Sequence, residues 1–220
     1  IMLGNALVDM YAKCGVLDKA KKVLEGLPVK NVVSWNALIA GFSHYNQGHE
    51  ALKCFEGMQN EGLSPNGITF TCVLKACGST GSIEKGKQIH EEIANRGLLW
   101  KDIVLGSALV DMYVKCHDLV KAQRVLEELP VRNVVSWSTL IAGYAQQGQG
   151  RRALDSFARM QTEGFTPNIV TFICVLNACG STRDIEKGKQ IHEEVSSRGL
   201  LAKDVVLGNA LVDMYAKCDL

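Results

Sequence analysis

The chain lacks any run of eighteen apolar residues, so it offers no segment for crossing a membrane, and no charged-then-apolar leader opens it. It is expected to be soluble. It has little net charge: the value of +1 hides any local basic face and neither favours nor excludes a nucleic-acid partner. No Cys-x2-Cys pair or close histidine pair is present to complete a four-ligand metal set. At 220 residues and 47% apolar content, one domain, two domains or one extended array all remain possible.

What is present is repetition. Asn31-Val32-Val33-Ser34-Trp35 returns 102 residues later as Asn133-Val134-Val135-Ser136-Trp137, and both copies lead into Leu-Ile-Ala-Gly. The same offset aligns residues 4–14 with 106–116 and 208–218, and residues 84–92 with 186–194. About two residues in three are identical between copies. A stacked array explains this, because each unit buries its apolar face against the next. With no initiator methionine and a stop halfway through a repeat, the chain is expected to be a segment of something longer, with targeting signals outside it.

The eight cysteines follow the same spacing: Cys14, Cys116 and Cys218 form one set, Cys72 and Cys174 a second, and Cys77 and Cys179 a third, with Cys54 opposite Ser156. Duplication accounts for that pattern, and without secretory features free thiols are expected.

Turn residues divide each long period into three helix pairs. In residues 1–31, Leu7, Met10, Tyr11 and Cys14 mark one face and Ala20, Val23, Leu24 and Leu27 another, before Pro28. Asp9 and Lys13 form an exposed i,i+4 pair worth about 0.3 kcal/mol, repeated in both copies, which supports helix rather than function. In residues 32–66, Ser34 is expected to be the N-cap, Gly48 to break the first helix, and Gly62 with Pro65 to end the second. In residues 67–102, Gly78 is expected to separate the helices, Ser82 and its counterpart Asp184 to cap the second, and Gly97 and Gly199 to end the pairs. The cycle then repeats as 103–133, 134–168 and 169–204, with 205–220 a partial seventh unit.

Three stretches carry a resemblance: Val-Val-Ser-Trp-Asn-Ala-Leu-Ile-Ala-Gly (32–41), Thr-Phe-x-Cys-Val-Leu-x-Ala-Cys (69–77) and Gly-Asn-Ala-Leu-Val-Asp-Met-Tyr-Ala-Lys-Cys (4–14). With unit lengths of 31, 35 and 36, the chain resembles the pentatricopeptide repeat family, in its plant subclass that cycles P, L and S motifs. Units 1–31, 103–133 and 205–220 resemble S, 32–66 and 134–168 resemble P, and 67–102 and 169–204 resemble L. Tetratricopeptide repeats keep a uniform 34-residue period and do not fit.

The resemblance implies an all-α, right-handed superhelical solenoid of helix-turn-helix repeats that binds single-stranded RNA at one base per repeat. It implies that the fifth and last residues of each unit bond the base edge. These are Asn5 with Asn31, Asn36 with Asn66, Ser107 with Asn133, Ser138 with Asn168, and Asn209 without a final partner. From the residues alone, Asn36 beside Trp35 is expected to be offered to the concave surface, and helix capping or a solvated polar face is the other reading of these positions. The L units carry Thr71 with Asp102 and Ile173 with Asp204, a weaker set, since isoleucine cannot hydrogen-bond a base.

The second residues, Met2, Val33, Ile68, Val104, Val135, Val170 and Val206, would sandwich the bases. All seven are apolar, and core residues near a helix start are the competing reading. By the family's pairing rules, Asn with Asn resembles a pyrimidine reader with cytosine favoured, and Ser with Asn an adenine reader. The implied site runs pyrimidine, pyrimidine, guanine at a weakly determined third base, adenine, adenine, any base, pyrimidine.

Other constellations carry less. Cys72, Cys77 and His90 complete no metal set, and His90 and His192 adjoin an apolar stripe with no paired nucleophile. Glu91 with Glu92, and Glu193 with Glu194, are adjacent in sequence and point apart on a helix, which suits a solvated face. Trp100, replaced by Ala202 in the copy, is not demanded by the repeat.

No cofactor, small-molecule substrate or enzymatic activity is expected, and no His-x-Glu with Pro-Cys-x2-Cys deaminase signature appears. The resemblance implies a plant mitochondrial or chloroplast RNA editing or processing factor, with multiple organellar RNA editing factor proteins as partners of the L units. A peptide-binding scaffold like the tetratricopeptide arrays is the rival class.

Overall fold

The computed structural model describes residues 2–100, 102–202 and 204–218, and among them every regular element is helical. Residues 1, 219 and 220, at the ends of the expected first and last repeats, lie outside the described residues. Two compact units divide the chain, Ile1–Asp118 and Leu119–Leu220.

The first unit holds three helix pairs: α1 (Met2–Lys13) with α2 (Leu17–Glu25), α3 (Val32–His44) with α4 (Gly48–Asn60), and α5 (Gly67–Thr80) with α6 (Ile83–Asn95). A 3-10 turn, Leu98–Trp100, then leads to α7 (Ile103–Lys115). The first helices α1, α3, α5 and α7 pack side by side in chain order, while α2, α4 and α6 each pack on their own first helix and on the next. The second unit holds α8 (Leu119–Glu128), α9 (Val134–Gln146), α10 (Gly150–Thr162), α11 (Ile169–Thr182), α12 (Ile185–Ser197) and α13 (Val205–Lys217). There α9, α11 and α13 pack side by side, backed by α8, α10 and α12. Each unit is a two-layer stack of first and second helices.

The first helices from α3 on are capped by Asn or Asp rather than by serine. Asn31 precedes α3 in extended backbone, and its Oδ1 accepts the N–H groups of Val33 and Ser34, both at 3.0 Å. Ser34, expected as the cap, is instead the third helical residue, and its Oγ accepts the Asn31 N–H at 3.1 Å. This reciprocal capping box returns at Asn66 with Thr69, Asn133 with Ser136, and Asn168 with Thr171, each cap worth about 1 kcal/mol.

Three further expectations are corrected. Gly48 does not break a helix but begins α4, and the left-handed residue of that turn is Asn46 (φ 60°), whose counterpart is Gly148 (φ 71°). Gly78 lies inside α5, where a Cβ would sit 3.1 Å from Lys115 Cδ and 3.2 Å from Lys115 Cβ, so the missing side chain eases the close approach of α7. The helix ends at Gly81, which takes φ 68°. Ser82 precedes α6 without a side-chain cap, its hydroxyl lying 2.8 Å from Thr80 Oγ1, whereas Asp184 caps α12 through the Lys187 N–H at 3.0 Å.

The core of the first unit runs between its layers through Leu38, Ile39, Phe55, Met58, Phe70 and Leu74, all buried. Phe55 meets Phe70 edge-on with centroids 6.5 Å apart, and Phe157 meets Phe172 in the same way at 6.3 Å. Truncating such a phenylalanine to alanine costs about 3–5 kcal/mol. Neighbours decide whether the repeated pattern is buried. Leu109 and Met112 of α7 are sealed beneath α5 and α6, but the identical Leu7 and Met10 of α1 are exposed, because within this unit α1 packs only on α2 and α3.

Candidate functional site

The capping geometry places the recognition candidates. A residue two places past the cap and one five places past it lie three apart, on one face of the helix and one above the other. Of the seven second residues, Val33, Ile68, Val104, Val135, Val170 and Val206 occupy the first of these places and Met2 begins α1; all seven are 57–89% exposed. They stand in solvent at the open end of the first helices, not in the core.

The fifth residues are placed differently from expectation. Asn36 is only 8% exposed: the position after Trp35 faces the neighbouring α5 rather than the open side, because the first helices stack directly side by side. Its Nδ2 donates to Asn66 Oδ1 at 3.1 Å, and Thr69 Oγ1 donates to its Oδ1 at 2.6 Å. Thus the fifth and last residues of this unit are joined directly. In the second unit Ser138, 6% exposed, sets its hydroxyl 2.7 Å from Thr171 Oγ1, which donates to Asn168 Oδ1 at 2.9 Å. Asn5 Nδ2 donates to Asn31 Oδ1 at 3.3 Å, while Asn5 Oδ1 is buried without a partner.

Most of the other candidates take part in local helix-start bonds. Thr71 donates back to the Gly67 carbonyl at 2.9 Å, while Asp102 Oδ1 caps α7 by accepting from Val104 and Leu105 N–H. Ile173 is half-buried in α11, and Asp204 caps α13 through the Leu207 N–H at 3.0 Å. Ser107, on α7, donates to the Ile103 carbonyl at 3.2 Å, and Asn133 caps α9 through the Ser136 N–H at 2.8 Å. Asn209 is exposed near the start of α13.

Sequence reasoning missed Thr69 and Thr171, which tie the cap to the preceding reader. The Asn-x-x-Thr spacing of a capping box was the available signal. Next to the readers, Trp35 Nε1 donates to Glu61 Oε2 at 2.9 Å, and Lys30 pairs with the same carboxylate at 2.6 Å. These two hydrogen bonds, Lys30 first, hold the Glu61 carboxyl below its ordinary pKa. In the copy, Arg132 pairs with Glu163 at 2.9 Å, Arg159 lies 5.6 Å over the Trp137 ring and pairs with Glu127 at 2.7 Å, and Trp137 Nε1 is buried without a partner.

The first helices also carry basic groups. A cleft of about 360 Å³ runs along α1, α3 and α5, lined by Lys13, His44 and Lys75, with Asp9 paired to Lys13 at 2.7 Å, among small residues. A larger cavity, about 470 Å³ between α8 and α10, belongs to the second helices and is lined by Gln123, Arg124, Arg152 and Arg159.

The histidines tie helices together: His90 Nδ1 lies 3.0 Å from the Tyr113 hydroxyl, and His192 Nδ1 lies 2.9 Å from that of Tyr215. The eight cysteines are free, and burial pushes the thiols of Cys54, Cys77 and Cys179 up to about 12, which keeps them protonated. Among the described residues no group of three His, Cys, Asp or Glu side chains is placed to hold a metal ion. Glu92 and Glu194 pair with Arg96 and Arg198, the residues that follow their helices, and Trp100 is exposed. Among the described residues no helix is long and apolar enough to cross a membrane.

Two models of the PPR repeat match the chain, one described as the PPR repeat family over residues 30–79 and 132–181, the other as the PPR repeat over residues 5–32, 68–98 and 170–200. The chain is 37% identical over 218 residues both to the chloroplastic pentatricopeptide repeat-containing protein At4g18520 and to the mitochondrial At3g09040 of Arabidopsis thaliana. Each match covers 99% of this chain, which spans about a third or less of those relatives, 35% and 21% of their lengths. The fold matches the crystal structure of the pentatricopeptide repeat protein PPR10 in complex with an 18-nt psaJ RNA element, with a TM-score of 0.80, 19% identity, and coverage of 98% of this chain and 32% of that one. The repeated helix pairs and both family models place this chain in the PPR repeat family.

Proposed function

We propose that the chain is a sequence-specific single-stranded RNA-binding array reading one base per repeat, with unit boundaries as set out from the sequence. The observation that carries this reading is the recurrence of an exposed apolar second residue in every unit, three places before a polar fifth residue in all but the unit of Val170, where the fifth is Ile173. A β-branched side chain left in solvent at the same place in repeat after repeat has no packing role, and apolar surface of this kind marks a contact site. Flat bases fit between such side chains, and their edges are then within reach of amide and hydroxyl groups. The solved complex of PPR10 with RNA supports the same use of the fold.

The array binds and positions; its own residues supply no reaction. Chloroplastic and mitochondrial relatives support a role in a plant organelle. Within the longer protein such an array would locate a transcript site for C-to-U editing or other RNA processing. L units, in the subclass the chain resembles, would carry the contact to multiple organellar RNA editing factor proteins.

The test replaces Val33 and Val135 together by serine. Both are exposed, so the melting temperature is expected to hold, while affinity for the cognate heptanucleotide falls on the order of tenfold through lost apolar contact. Unchanged RNA affinity in a folded double variant contradicts the reading and favours a peptide-binding scaffold.

A further inference from the structure

The hydroxyl of Thr69 decides which groups the Asn36–Asn66 pair can offer. Asn66 must keep Oδ1 inward, because that oxygen accepts the Thr69 backbone N–H at 3.1 Å and caps α5. Two amide oxygens cannot face each other, so Asn36 turns Nδ2 toward it, at 3.1 Å. The Asn36 carbonyl oxygen is then left 2.6 Å from Thr69 Oγ1. That hydroxyl already accepts the Asn66 N–H at 3.1 Å, and of the two amide oxygens it can donate to, Asn66 Oδ1 at 3.1 Å and Asn36 Oδ1 at 2.6 Å, the nearer one on Asn36 takes its single hydrogen. One backbone N–H therefore orients all three side chains. What remains free to act on a ligand is N–H: the second Nδ2 hydrogen of Asn36 and the Nδ2 group of Asn66.

Asn5 and Asn31 form the same residue pair with a different result. Asn31 Oδ1 is again held inward by the cap, accepting from Val33 and Ser34, and Asn5 Nδ2 turns to it at 3.3 Å. The third helical residue here is Ser34, whose Oγ donates back to the Asn31 carbonyl at 2.9 Å instead of crossing to the preceding helix. Asn5 Oδ1 is left buried with no donor. An unsatisfied buried carbonyl favours any N–H brought to it.

We infer that Thr69 is a specificity-determining positioning residue: by donating to Asn36 Oδ1 it leaves that pair offering donors alone, which suits cytosine, whereas the Asn5–Asn31 pair keeps a carbonyl that suits uracil. Cytosine presents N3 as an acceptor, while uracil carries a hydrogen on N3 and would set N–H against N–H. The inference rests on the RNA-binding reading above and adds a residue outside the fifth and last positions.

The test measures the full chain against heptanucleotides that differ only by cytosine or uracil, at the second base in one pair and at the first base in another, at one fixed salt concentration. The wild-type chain is expected to prefer cytosine on the order of tenfold at the second base, and to bind uracil at least as well as cytosine at the first. Thr69→Val keeps the shape and removes the hydroxyl. It is expected to bring the second-base ratio within about twofold of unity and to leave the first-base ratio alone. An unchanged second-base ratio in folded Thr69→Val overturns the inference. So does a wild-type chain with the same ratio at both bases, a comparison that needs no variant to fold. Failure of the wild-type chain to bind the heptanucleotide above a scrambled one is a separate outcome, and it removes the RNA-binding reading itself.

Discussion

The junction of α3 with α5 and that of α9 with α11 are built from the same parts and differ in what they present. Each has an asparagine cap, a threonine that closes the capping box, and a buried tryptophan one residue before the reader. In one the reader is Asn36, which reaches Asn66 directly; in the other it is Ser138, which stops at Thr171 and reaches Asn168 only through it. The scaffold is thus held by groups that do not vary between copies. The side chain enclosed between two first helices changes from Asn36 to Ser138, and with it the donors and acceptors at the base edge.

The largest effect comes from exchanging the readers. Ser138→Asn is expected to shift preference at its own base from adenine to a pyrimidine by about 2 kcal/mol, roughly thirtyfold, with no change at other positions. Competition binding with single-base variants of the heptanucleotide checks it, and a shift spread over several bases would mean the two junctions are not separable. Next in size are the caps. Asn66→Ala is expected to destabilise by about 2 kcal/mol, since it removes a cap and leaves Asn36 Nδ2 unpaired, while Asn168→Ala removes the cap and an acceptor of the Thr171 hydroxyl, which keeps Ser138 as its partner, at about 1 kcal/mol. Urea melts of both variants would show equal losses if the direct Asn36–Asn66 bond were energetically silent.

Smaller effects separate the tryptophans. Glu61→Gln is expected to cost about 1 kcal/mol, because it weakens a bond to Trp35 Nε1 that the copy does not make, while Glu163→Gln should cost less. Thermal melts of the two variants decide the order. Smallest is the pH effect. Glu61 is depressed in the folded chain by Lys30 and Trp35, so the stability it contributes is present above its unfolded pKa and lost as pH falls through the lower folded value. Wild-type and Glu61→Gln melts should therefore converge on acidification, and a gap that stays constant down to strongly acidic pH would contradict that sign.

Much of the fold was legible because duplication does what an alignment would do: the 102-residue offset marks helix faces and turns twice over. Local punctuation was harder to read. Ser34 was expected to cap because hydroxyls often do, but the neighbouring Asn31 amide reaches two N–H groups and takes that role. Gly78 reads as a turn in sequence and is a packing residue in the structure, since what it accommodates is α7, 34 or more residues away. The candidate site was legible as a set of positions but not as a network. That Asn36 would be enclosed and bonded depends on how closely α5 lies against α3, and no pattern within one helix encodes that distance.

The most direct test of sequence-specific recognition is a titration of the chain, at one fixed salt concentration, with two ribo-oligonucleotides. One carries the implied order of pyrimidine, pyrimidine, guanine, adenine, adenine, any base, pyrimidine; the other has its two adenines changed to guanines. Recognition through Ser107 with Asn133 and Ser138 with Asn168 gives tight binding to the first and a loss on the order of a hundredfold for the second. Equal affinity for both, or negligible binding to either, contradicts it.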